Sequence, residues 1–510
     1  MYPHTEHLHS TINDFQFPNG FHLNENNRWV ILRDLIPWAK FEEEYASLFD
    51  EKIGAPAKSF QIAMGALIIQ QILKTTDRET LEQIKENPHL QYFLGLSTYE
   101  YKAPFNSSML VYFRQRIKPE IINKINEDIV KIELDKQDKK KEENQDTEEK
   151  KERIKNKGQL MLDATVIPSD ITYPTDLGLL NQGRKFLEKI IDKLYKPVKG
   201  QLEKKPRTDR KKARKAHLVI AKKKKITTSE RRKAIKKQLR YVSRNLDYIE
   251  ELKKKVNEEE ILSRKEREKI EIVRELNRQQ KEMYEENKRT IENRIVSIEQ
   301  PHIRPIVRGK ARASVEFGAK ISVSYVEGYV FLDYVEWSNF PEAKYLKEQV
   351  EKYYKMWSYY PESIHVDKIY RTKEKRKYCQ EKGIRMGGPK LGRPIKNISN
   401  EEKKQSQLDE RIRSKIEGKF GEVKRNYGLN LIRTKLKETF TNSIAMGILV
   451  MNLITLYRRV IRGFLCAFLE KQLKKEKKNQ DILYMMLIRM KVDYTFLQHH
   501  VYNVECVLFF

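Results

Sequence analysis

Residues 158–171 read GQLMLDATVIPSDI, and this stretch decides the fold class that the sequence predicts. It is an apolar run with β-branched residues, and it is short enough to be one buried strand. A single carboxylate, Asp163, interrupts the run between Leu162 and Ala164. Because a carboxylate in an apolar strand is costly unless something charged meets it, Asp163 is a candidate functional residue.

Downstream of this strand, the sequence predicts further strands that alternate with helices. Between 315 and 325 the odd positions are apolar, Glu327-Gly328 predicts a turn, and 329–335 predicts the second strand of a hairpin. The later predicted elements are a helix at 341–357, a strand at 363–367, a helix at 373–382, a short apolar element at 384–386 and a helix at 405–427. This order is typical of an α/β domain in which helices cover a mixed sheet.

A basic helical insertion, residues 181–299, interrupts this domain. From 201 to 240 there are 18 Lys or Arg against 3 acidic residues, a net charge of +15 and half of the +30 of the whole chain. Apolar residues between 235 and 256 recur at alternating spacings of four and three, and the periodicity resumes after a capping box at 263–266, which predicts a coiled-coil-like helical hairpin. A charge run is usually a solvated face, but here the balancing acidic residues are missing. The excess therefore favours a phosphate-binding surface that includes Lys211, Lys212 and Arg214.

The other segments complete the predicted domain organisation. Residues 1–134 form a helical N-terminal domain, 135–157 a charged linker, 158–180 and 300–430 the sheet domain, and 431–510 a C-terminal helical region. Helical spacing predicts one buried stripe in 60–74, and Thr76 and Glu79 predict a capping box for the next helix. This helix pair could be a DNA-reading helix-turn-helix or an ordinary packing unit, and the sequence leaves both alternatives open.

Composition excludes several classes of protein. With 39% hydrophobic residues, the chain of 510 residues can fill a core, so wholesale disorder is excluded. Its cysteines, Cys379, Cys466 and Cys506, allow neither a disulfide framework nor a four-thiolate zinc site and predict a reducing compartment. The first residues do not resemble a signal peptide, and the apolar stretch 444–457 is short for a membrane span, so a soluble protein is expected. The charge predicts a polyanionic partner: nucleic acid, with an anionic membrane surface as the weaker alternative.

Three acidic residues are candidates for one metal site. Asp163 and Asp367 each lie in a predicted strand, and two such strands in one domain can share a cation. Glu417 follows Arg413 by four residues and precedes Lys424 by seven, which places all three on one helix face. These carboxylates would suit two Mg²⁺ ions and in-line displacement at phosphorus. Structural alternatives remain open: Asp163 as the partner of a core arginine, Asp367 as the first residue of a turn, and Glu417 as part of an exposed ion-pair ladder.

Over most of its length the sequence resembles the DDE-type transposases of bacterial insertion sequences. Leu162-Asp-Ala-Thr-Val-Ile-Pro168 is similar to the first-Asp strand of that family, and His365-Val-Asp-Lys-Ile-Tyr-Arg371 is similar to the second. Arg413-x3-Glu417-x6-Lys424 matches the R-x3-E-x6-K signature, although Glu410 stands where many relatives carry Tyr. Further similarities lie in the N-terminal part, at 76–81 and 94–96, and in the segments 300–309 and 387–394.

The resemblance implies a ribonuclease-H-like catalytic domain and a function in DNA transposition. Asp163, Asp367 and Glu417 would be catalytic and hold two Mg²⁺ ions, for which Mn²⁺ can substitute. Beside Arg413 and Lys424, we expect Arg371, Lys390 and Arg393 to contact DNA. The expected partners are the inverted repeats of the element, the target duplex and further copies of the chain, in the bacterial cytoplasm at the nucleoid and without a membrane. Two alternatives are a non-catalytic, decayed or domesticated DNA-binding protein and a Mg²⁺-dependent hydrolytic nuclease.

Overall fold

The computed structural model describes residues 2, 11–17, 20, 22–50, 54–142, 156–202, 204–307, 315–389 and 399–475. The chain forms two compact units. The first unit comprises Met1–Lys150, Glu327–Phe331 and Ala445–Phe510, and the second comprises Lys151–Val326 and Leu332–Ile444. Most of the predicted linker 135–157 lies outside the described residues.

The described residues combine helices and strands, which confirms the predicted α/β class. The helices are α1 (Arg28–Asp34), α2 (Trp38–Ala46), α3 (Phe60–Leu73), α4 (Asp77–Glu86), α5 (Pro88–Phe93), α6 (Met109–Arg116), α7 (Pro119–Glu142), α8 (Asp176–Tyr195), α9 (Arg210–Ala221), α10 (Thr228–Lys253), α11 (Glu258–Ile261), α12 (Arg264–Glu285), α13 (Leu346–Trp357), α14 (Lys373–Glu381), α15 (Asn400–Asn426) and α16 (Lys437–Lys475). The strands are β1 (Gln159–Pro168), β2 (Arg304–Val307), β3 (Val315–Val326), β4 (Tyr329–Glu336), β5 (Ser363–His365) and β6 (Arg385–Gly387).

In the first unit, α3 is a central helix rather than a helix with one buried stripe. Its residues from Phe60 to Ile69 are buried, except for the half-buried Ile62. Thr76 caps α4 as predicted, because its hydroxyl accepts the N–H of Glu79, while the Glu79 carboxylate binds Gln83 instead of closing the box. The exposed residues of α4 are Arg78, Glu79, Glu82 and Glu86. Both alternatives for this helix pair, the packing unit and the DNA-reading unit, therefore stay open.

The apolar stretch 444–457 belongs to α16, which lies within the predicted C-terminal helical region and extends beyond that stretch at both ends. Within it, Lys437–Phe468 has the length and composition of a membrane-crossing helix, although 67% of its most apolar window is buried in the protein. The core helix of a soluble protein passes the same test. In the first unit, Asn452 of α16 is buried and bonds both the N–H and the carbonyl oxygen of Val330, at 3.1 and 2.7 Å. Asn452 therefore supplies hydrogen-bond partners for the buried backbone groups of Val330 in β4.

The sheet of the second unit has β1 near its centre. The strand order is β2-β3-β1-β5-β6, and β4 also pairs with β3. β1 runs antiparallel to β3, with Asp163 opposite Val323, and parallel to β5, with Met161 opposite His365. β5 continues parallel to β6. Helix α15 packs against β1 and β5, so it covers one face of the sheet at the parallel strands.

The insertion of the second unit is a helical bundle rather than a simple hairpin. The predicted seam of α10 is buried at Leu239, Val242, Leu246, Ile249 and Leu252, and the capping box at Ser263 and Glu266 starts α12 as predicted. However, α8 packs against α10 and α12 and adds its own apolar face to their core. The sequence prediction missed this third helix, because α8 begins at Asp176, before the predicted boundary at 181.

Candidate active site

The strand register brings Asp163 and Asp367 to equivalent positions of neighbouring parallel strands. Met161 of β1 pairs with His365 of β5, and each Asp lies two residues farther along its strand direction. Residues two apart on an extended chain point to the same face, and adjacent strands lie roughly 4.8 Å apart. The carboxylates of Asp163 and Asp367 therefore lie side by side on the same face of neighbouring strands.

Asp163 is half-buried within the sheet, and this burial changes its acidity. Burial raises the pKa of Asp163 to about 7, with further increases from the negative charges of Glu342 and Glu417 and an opposing effect of Arg413. One oxygen accepts the N–H of Ala164 at 2.7 Å. A buried carboxylate in a negative neighbourhood binds either a proton or a cation. Among the described residues, no arginine forms an ion pair with Asp163, so the alternative of a core ion pair is not seen.

Asp367 combines the predicted turn with the predicted site. Its side chain accepts the N–H of Lys368 at 2.7 Å and so caps the short 3₁₀ helix Lys368–Tyr370. Asp367 is half-buried, and its negative charge reaches Arg413 of α15. The turn alternative and the site alternative are therefore compatible.

The signature residues of α15 face this edge of the sheet. Arg413 Nη1 donates to Glu417 Oε1 at 3.1 Å, and its guanidinium also binds Glu410, at 2.6 and 3.2 Å. The hydrogen bonds to Glu410, followed by the negative charges of Glu410, Glu417 and Asp367, raise the pKa of Arg413. Lys424 donates to Thr165 Oγ1 at 2.9 Å, and Thr165 shares the sheet face of Asp163. Helix α15 thus carries both an ion-pair ladder and a direct contact with β1.

The residues proposed to contact DNA around this site have different environments. Arg371 is bound to the backbone carbonyls of Met386 and Gly388 at 3.1 and 2.6 Å, so its guanidinium supports β6. The Arg413 side chain is only 16% exposed and is held by two glutamates. Lys390 and Arg393 lie outside the described residues, as does part of the segments 300–309 and 387–394.

The side chains of Asp163, Asp367 and Glu417 are of the chemical type that binds a hard divalent cation, but in the structure the three are not close enough to share one. Oxygen donors are the ligands that Mg²⁺ prefers, and the raised pKa of Asp163 reports a buried carboxylate that lacks a cationic neighbour of equal strength. In the described part of the chain, no three His, Cys, Asp or Glu side chains are close enough to hold a metal ion. Glu417 is 56% exposed and pairs with Arg413 on α15, while its negative charge helps to raise the pKa of Asp163.

Two neighbours of this site were not predicted from the sequence. Glu342 lies in the 3₁₀ helix Glu342–Tyr345, forms an ion pair with the buried Lys320 at 3.2 Å, and affects the pKa of Asp163 more than Glu417 does. Tyr370 is fully buried next to the same carboxylates. Neither residue lies in a periodic pattern, and only the position of Tyr370 three residues after Asp367 could have pointed to it.

A buried polar cluster anchors α15 two turns before Glu417. Both oxygens of Asp409 bind the guanidinium of Arg385 at 2.9 Å, and His365 Nδ1 lies 3.5 Å from Oδ1. A Cβ at Gly387 would come within 2.8 Å of His365 Nδ1 and 2.9 Å of the Asp409 carboxylate. The missing side chain of this glycine therefore lets α15 approach β5 and β6 closely.

The basic surface of the insertion is solvent-exposed and only partly neutralised, because Arg210 pairs with Asp192 and Lys223 pairs with Glu230. Lys211, Lys212, Arg214 and Lys215 are exposed on α9, and within the described ranges none of them contacts an acidic side chain. A groove of about 480 Å³ between α9 and α10 adds Lys233 and Lys237. We call Lys211, Lys212, Arg214, Lys215, Lys233 and Lys237 the basic face. It has the charge and the accessibility of a phosphate-binding surface.

Comparison with known protein families identifies two segments of the chain that match transposase domains. The family model for the transposase DDE domain matches residues 364–454, which include Asp367 and Glu417. The family model for a second transposase domain, DUF772, matches residues 20–116. The uncharacterized protein ORF8 in the nfe locus of Rhizobium meliloti is 27% identical over 157 residues, which are 31% of this chain and 69% of the relative. No solved structure matches the chain.

The two matches lie in the order that the sequence resemblance implies, with the N-terminal transposase domain before the DDE domain. The match to the DDE domain includes the helix α15, which carries the signature residues, and Asp367, one of the two strand carboxylates. Together, the two matches support a DDE-type transposase of an insertion sequence.

Proposed function

We propose that this transposase cuts and joins DNA by phosphoryl transfer at Asp163, Asp367 and Glu417. Water attacks the scissile phosphate first, and the freed 3′-hydroxyl then attacks the target strand. The observation that carries the proposal is the shared register position of Asp163 and Asp367 under the signature helix α15. Two carboxylates at one edge of a sheet, next to a helix with a third, form a donor set for phosphoryl-transfer chemistry.

Asp163, Asp367 and Glu417 would hold Mg²⁺, with Mn²⁺ as a substitute. When bound, the two ions supply activation of the attacking oxygen and stabilisation of charge at the leaving oxygen. The chain's own task is to bring Glu417 to the strand carboxylates, and the ion pair of Glu417 with Arg413, at 3.1 Å on α15, would have to loosen for this. Lys424 keeps the same helix on β1 through Thr165. Arg413 and Lys424 are therefore better suited to orient the site than to bind DNA by themselves.

The sheet topology supports a ribonuclease-H-like catalytic domain. Three parallel strands, β1, β5 and β6, adjoin the antiparallel strand β3 and its hairpin partner β4. The insertion leaves the sheet after β1 and returns before β2, so it interrupts the domain without interrupting a strand. We propose that the protein acts in the bacterial cytoplasm, at the nucleoid, as a homo-oligomer on DNA.

The basic face would bind the inverted repeats and flanking duplex through phosphates. Its affinity should fall steeply with salt, because each neutralised phosphate releases bound counterions. A deletion of 201–257 is unsuitable as a test, because it would remove the α10 side chains that bury the apolar faces of α8 and α12. Substitutions of exposed cations on α9 leave this core intact.

The decisive experiment uses a supercoiled plasmid that carries the element ends, incubated with the protein and Mg²⁺. A transposase gives cleavage followed by joined products, a nuclease gives cleavage alone, and a non-catalytic DNA-binding protein gives neither. Glu417→Gln should reduce cleavage by about a thousandfold or more while leaving binding nearly unchanged. Normal cleavage by Glu417→Gln would show that the third ligand lies elsewhere.

A matched control for Glu417→Gln is Glu401→Gln, which removes an exposed carboxylate from the first turn of the same helix. Its cleavage rate should stay within about twofold of the wild type. Glu422 is less suitable, because it is buried and pairs with Lys419 at 2.9 Å, so its substitution would also destabilise the protein. Loss of cleavage in both Glu401→Gln and Glu417→Gln would mean that α15 is sensitive to any change of charge.

A further inference from the structure

Tyr370 places a hydroxyl among the carboxylates of the candidate site. It is the last residue of the 3₁₀ helix that Asp367 caps, and the Tyr370 N–H bonds the Asp367 carbonyl oxygen at 3.0 Å. This tight turn directs the residue back into the unit, where it is 0% exposed. The acidic groups whose charge reaches Tyr370 are, in decreasing order, Asp163, Glu342, Asp367 and Asp333.

The Tyr370 hydroxyl is a buried hydrogen-bonding group without a partner. Among the described residues, no side chain or backbone group lies within hydrogen-bond distance and geometry of Tyr370 Oη. A buried tyrosine usually satisfies its hydroxyl, because an unsatisfied donor in the interior is costly. Burial and the surrounding negative charges hold the pKa of Tyr370 well above its usual value, so the hydroxyl keeps its proton and can only donate to an anion.

We propose that Tyr370 is a positioning residue of the reaction: its hydroxyl donates a hydrogen bond to the Asp163 carboxylate in the assembled site and sets the orientation of that carboxylate. Asp163 is the acceptor because it shares its register position with Asp367, which caps the turn that ends at Tyr370, and because its charge reaches Tyr370 most strongly. The inference rests on the proposed function and adds a residue to it. The packing alternative, in which only the aromatic ring of Tyr370 matters, predicts no role for the hydroxyl.

Tyr370→Phe separates these alternatives, because it removes the oxygen and keeps the ring. In metal-free buffer, the melting temperature of Tyr370→Phe should equal or exceed that of the wild type, since no bond of the resting protein is lost. Cleavage of bound element-end DNA should nevertheless fall by about tenfold to a hundredfold, the range expected for a hydrogen bond to a charged group. The dissociation constant for DNA should not change.

Tyr353→Phe is the matched control. The Tyr353 hydroxyl is also buried, but it donates to the carbonyl oxygen of Lys157 at 2.8 Å. Its removal should therefore lower the melting temperature and leave the cleavage of bound DNA unchanged. The opposite responses of two tyrosines in one unit would distinguish a positioning hydroxyl from a structural one.

A second readout uses Mn²⁺ alone and does not depend on cleavage. The Mn²⁺ concentration that gives half of the metal-induced rise in melting temperature should be several times higher for Tyr370→Phe, because Asp163 would be less well oriented. Equal Mn²⁺ affinity and equal cleavage in Tyr370→Phe and wild type would overturn the inference, as would a clear loss of metal-free stability. If the wild type does not cleave, the proposed function fails. The Mn²⁺ comparison then decides on Tyr370: a weaker affinity supports its role and an equal affinity removes it.

Discussion

The second unit contains two charged regions, the basic face and an acidic centre formed by Asp163, Asp367 and Glu417, and the two regions use charge in opposite ways. In the acidic centre, Asp163 and Asp367 are half-buried, and each charge changes the electrostatics of its neighbours. On the basic face, Lys211, Lys212 and Arg214 are exposed to water without acidic partners among the described residues. This comparison teaches that the position of each charged side chain matters in the acidic centre, whereas the number of charged side chains matters on the basic face. One substitution should disable the acidic centre, whereas the basic face should weaken stepwise.

The largest expected effect is the loss of cleavage in Asp367→Asn. We expect a decrease of about a thousandfold or more in the cleavage rate of bound DNA, because the substitution removes one of the two strand carboxylates. Binding should stay within about twofold, since Asp367 is not part of the basic face. Asp170→Asn, at the exposed end of the same sheet region, serves as the control and should cleave normally. Equal activity of both variants would remove Asp367 from the site.

The next effect concerns stability and follows from the raised pKa of Asp163. Because its folded-state pKa is about 7 instead of 3.8, the folded protein binds the proton more tightly, and stability is lost as the pH rises from about 4 through about 7. In EDTA, Asp163→Asn should therefore match the wild type near pH 4 and exceed it near pH 8, by up to about 4 kcal/mol. Urea unfolding at both pH values measures the difference. Glu42, whose pKa burial also raises to about 7, is present in both proteins, so its effect cancels.

The sequence predicted the elements of the acidic centre better than its contacts. Strand alternation and helix periodicity are local, and they predicted β1, β3 and α15 because buried faces recur at regular spacing. The equal register of Asp163 and Asp367 depends on strand pairing across some 200 residues, which no local pattern encodes. For the same reason, Glu342 and Tyr370 escaped notice: both lie in short 3₁₀ turns, where side-chain direction depends on tertiary packing.

The basic face was easier to predict, because net charge is additive and independent of register. Its helical support was predicted only in part. The seam of α10 appears in the sequence, but its partner α8 begins before the charge-rich stretch and lies across the predicted domain boundary. Composition therefore identified the surface, and the fold was needed to identify the bundle that presents it.

A smaller effect is expected when the basic face loses four charges. Lys211→Gln, Lys212→Gln, Arg214→Gln and Lys215→Gln combined should weaken duplex binding by about tenfold or more near physiological salt. The slope of log K against log salt should become shallower by about 0.9 for each phosphate that the protein no longer neutralises. Cleavage of DNA at saturating protein should not change. Lys254→Gln with Lys255→Gln, exposed just after α10, is the control with two removed charges. An equal change of slope per removed charge would show that only total charge matters.

The smallest effect is expected for Asp409→Asn. This substitution tests whether the position of Glu417 in the acidic centre depends on the pair of Asp409 with Arg385. The Asp409 side chain is 8% exposed and holds Arg385 with both oxygens at 2.9 Å. It lies eight residues before Glu417, about 12 Å along α15, so it cannot touch the substrate phosphate with Glu417. Asparagine keeps the shape and one acceptor but turns an amide towards the guanidinium, which should loosen α15 on β6.

We therefore expect Asp409→Asn to lower the cleavage rate of bound DNA by about threefold to tenfold, with the dissociation constant for DNA unchanged. Arg385→Gln should act similarly, because it breaks the same pair from the other side. The double variant should be no slower than the worse single variant, since residues that act as one unit are not additive. Multiplied effects in the double variant would mean that the two residues act separately, and normal rates in both single variants would show that α15 holds Glu417 in position without this anchor.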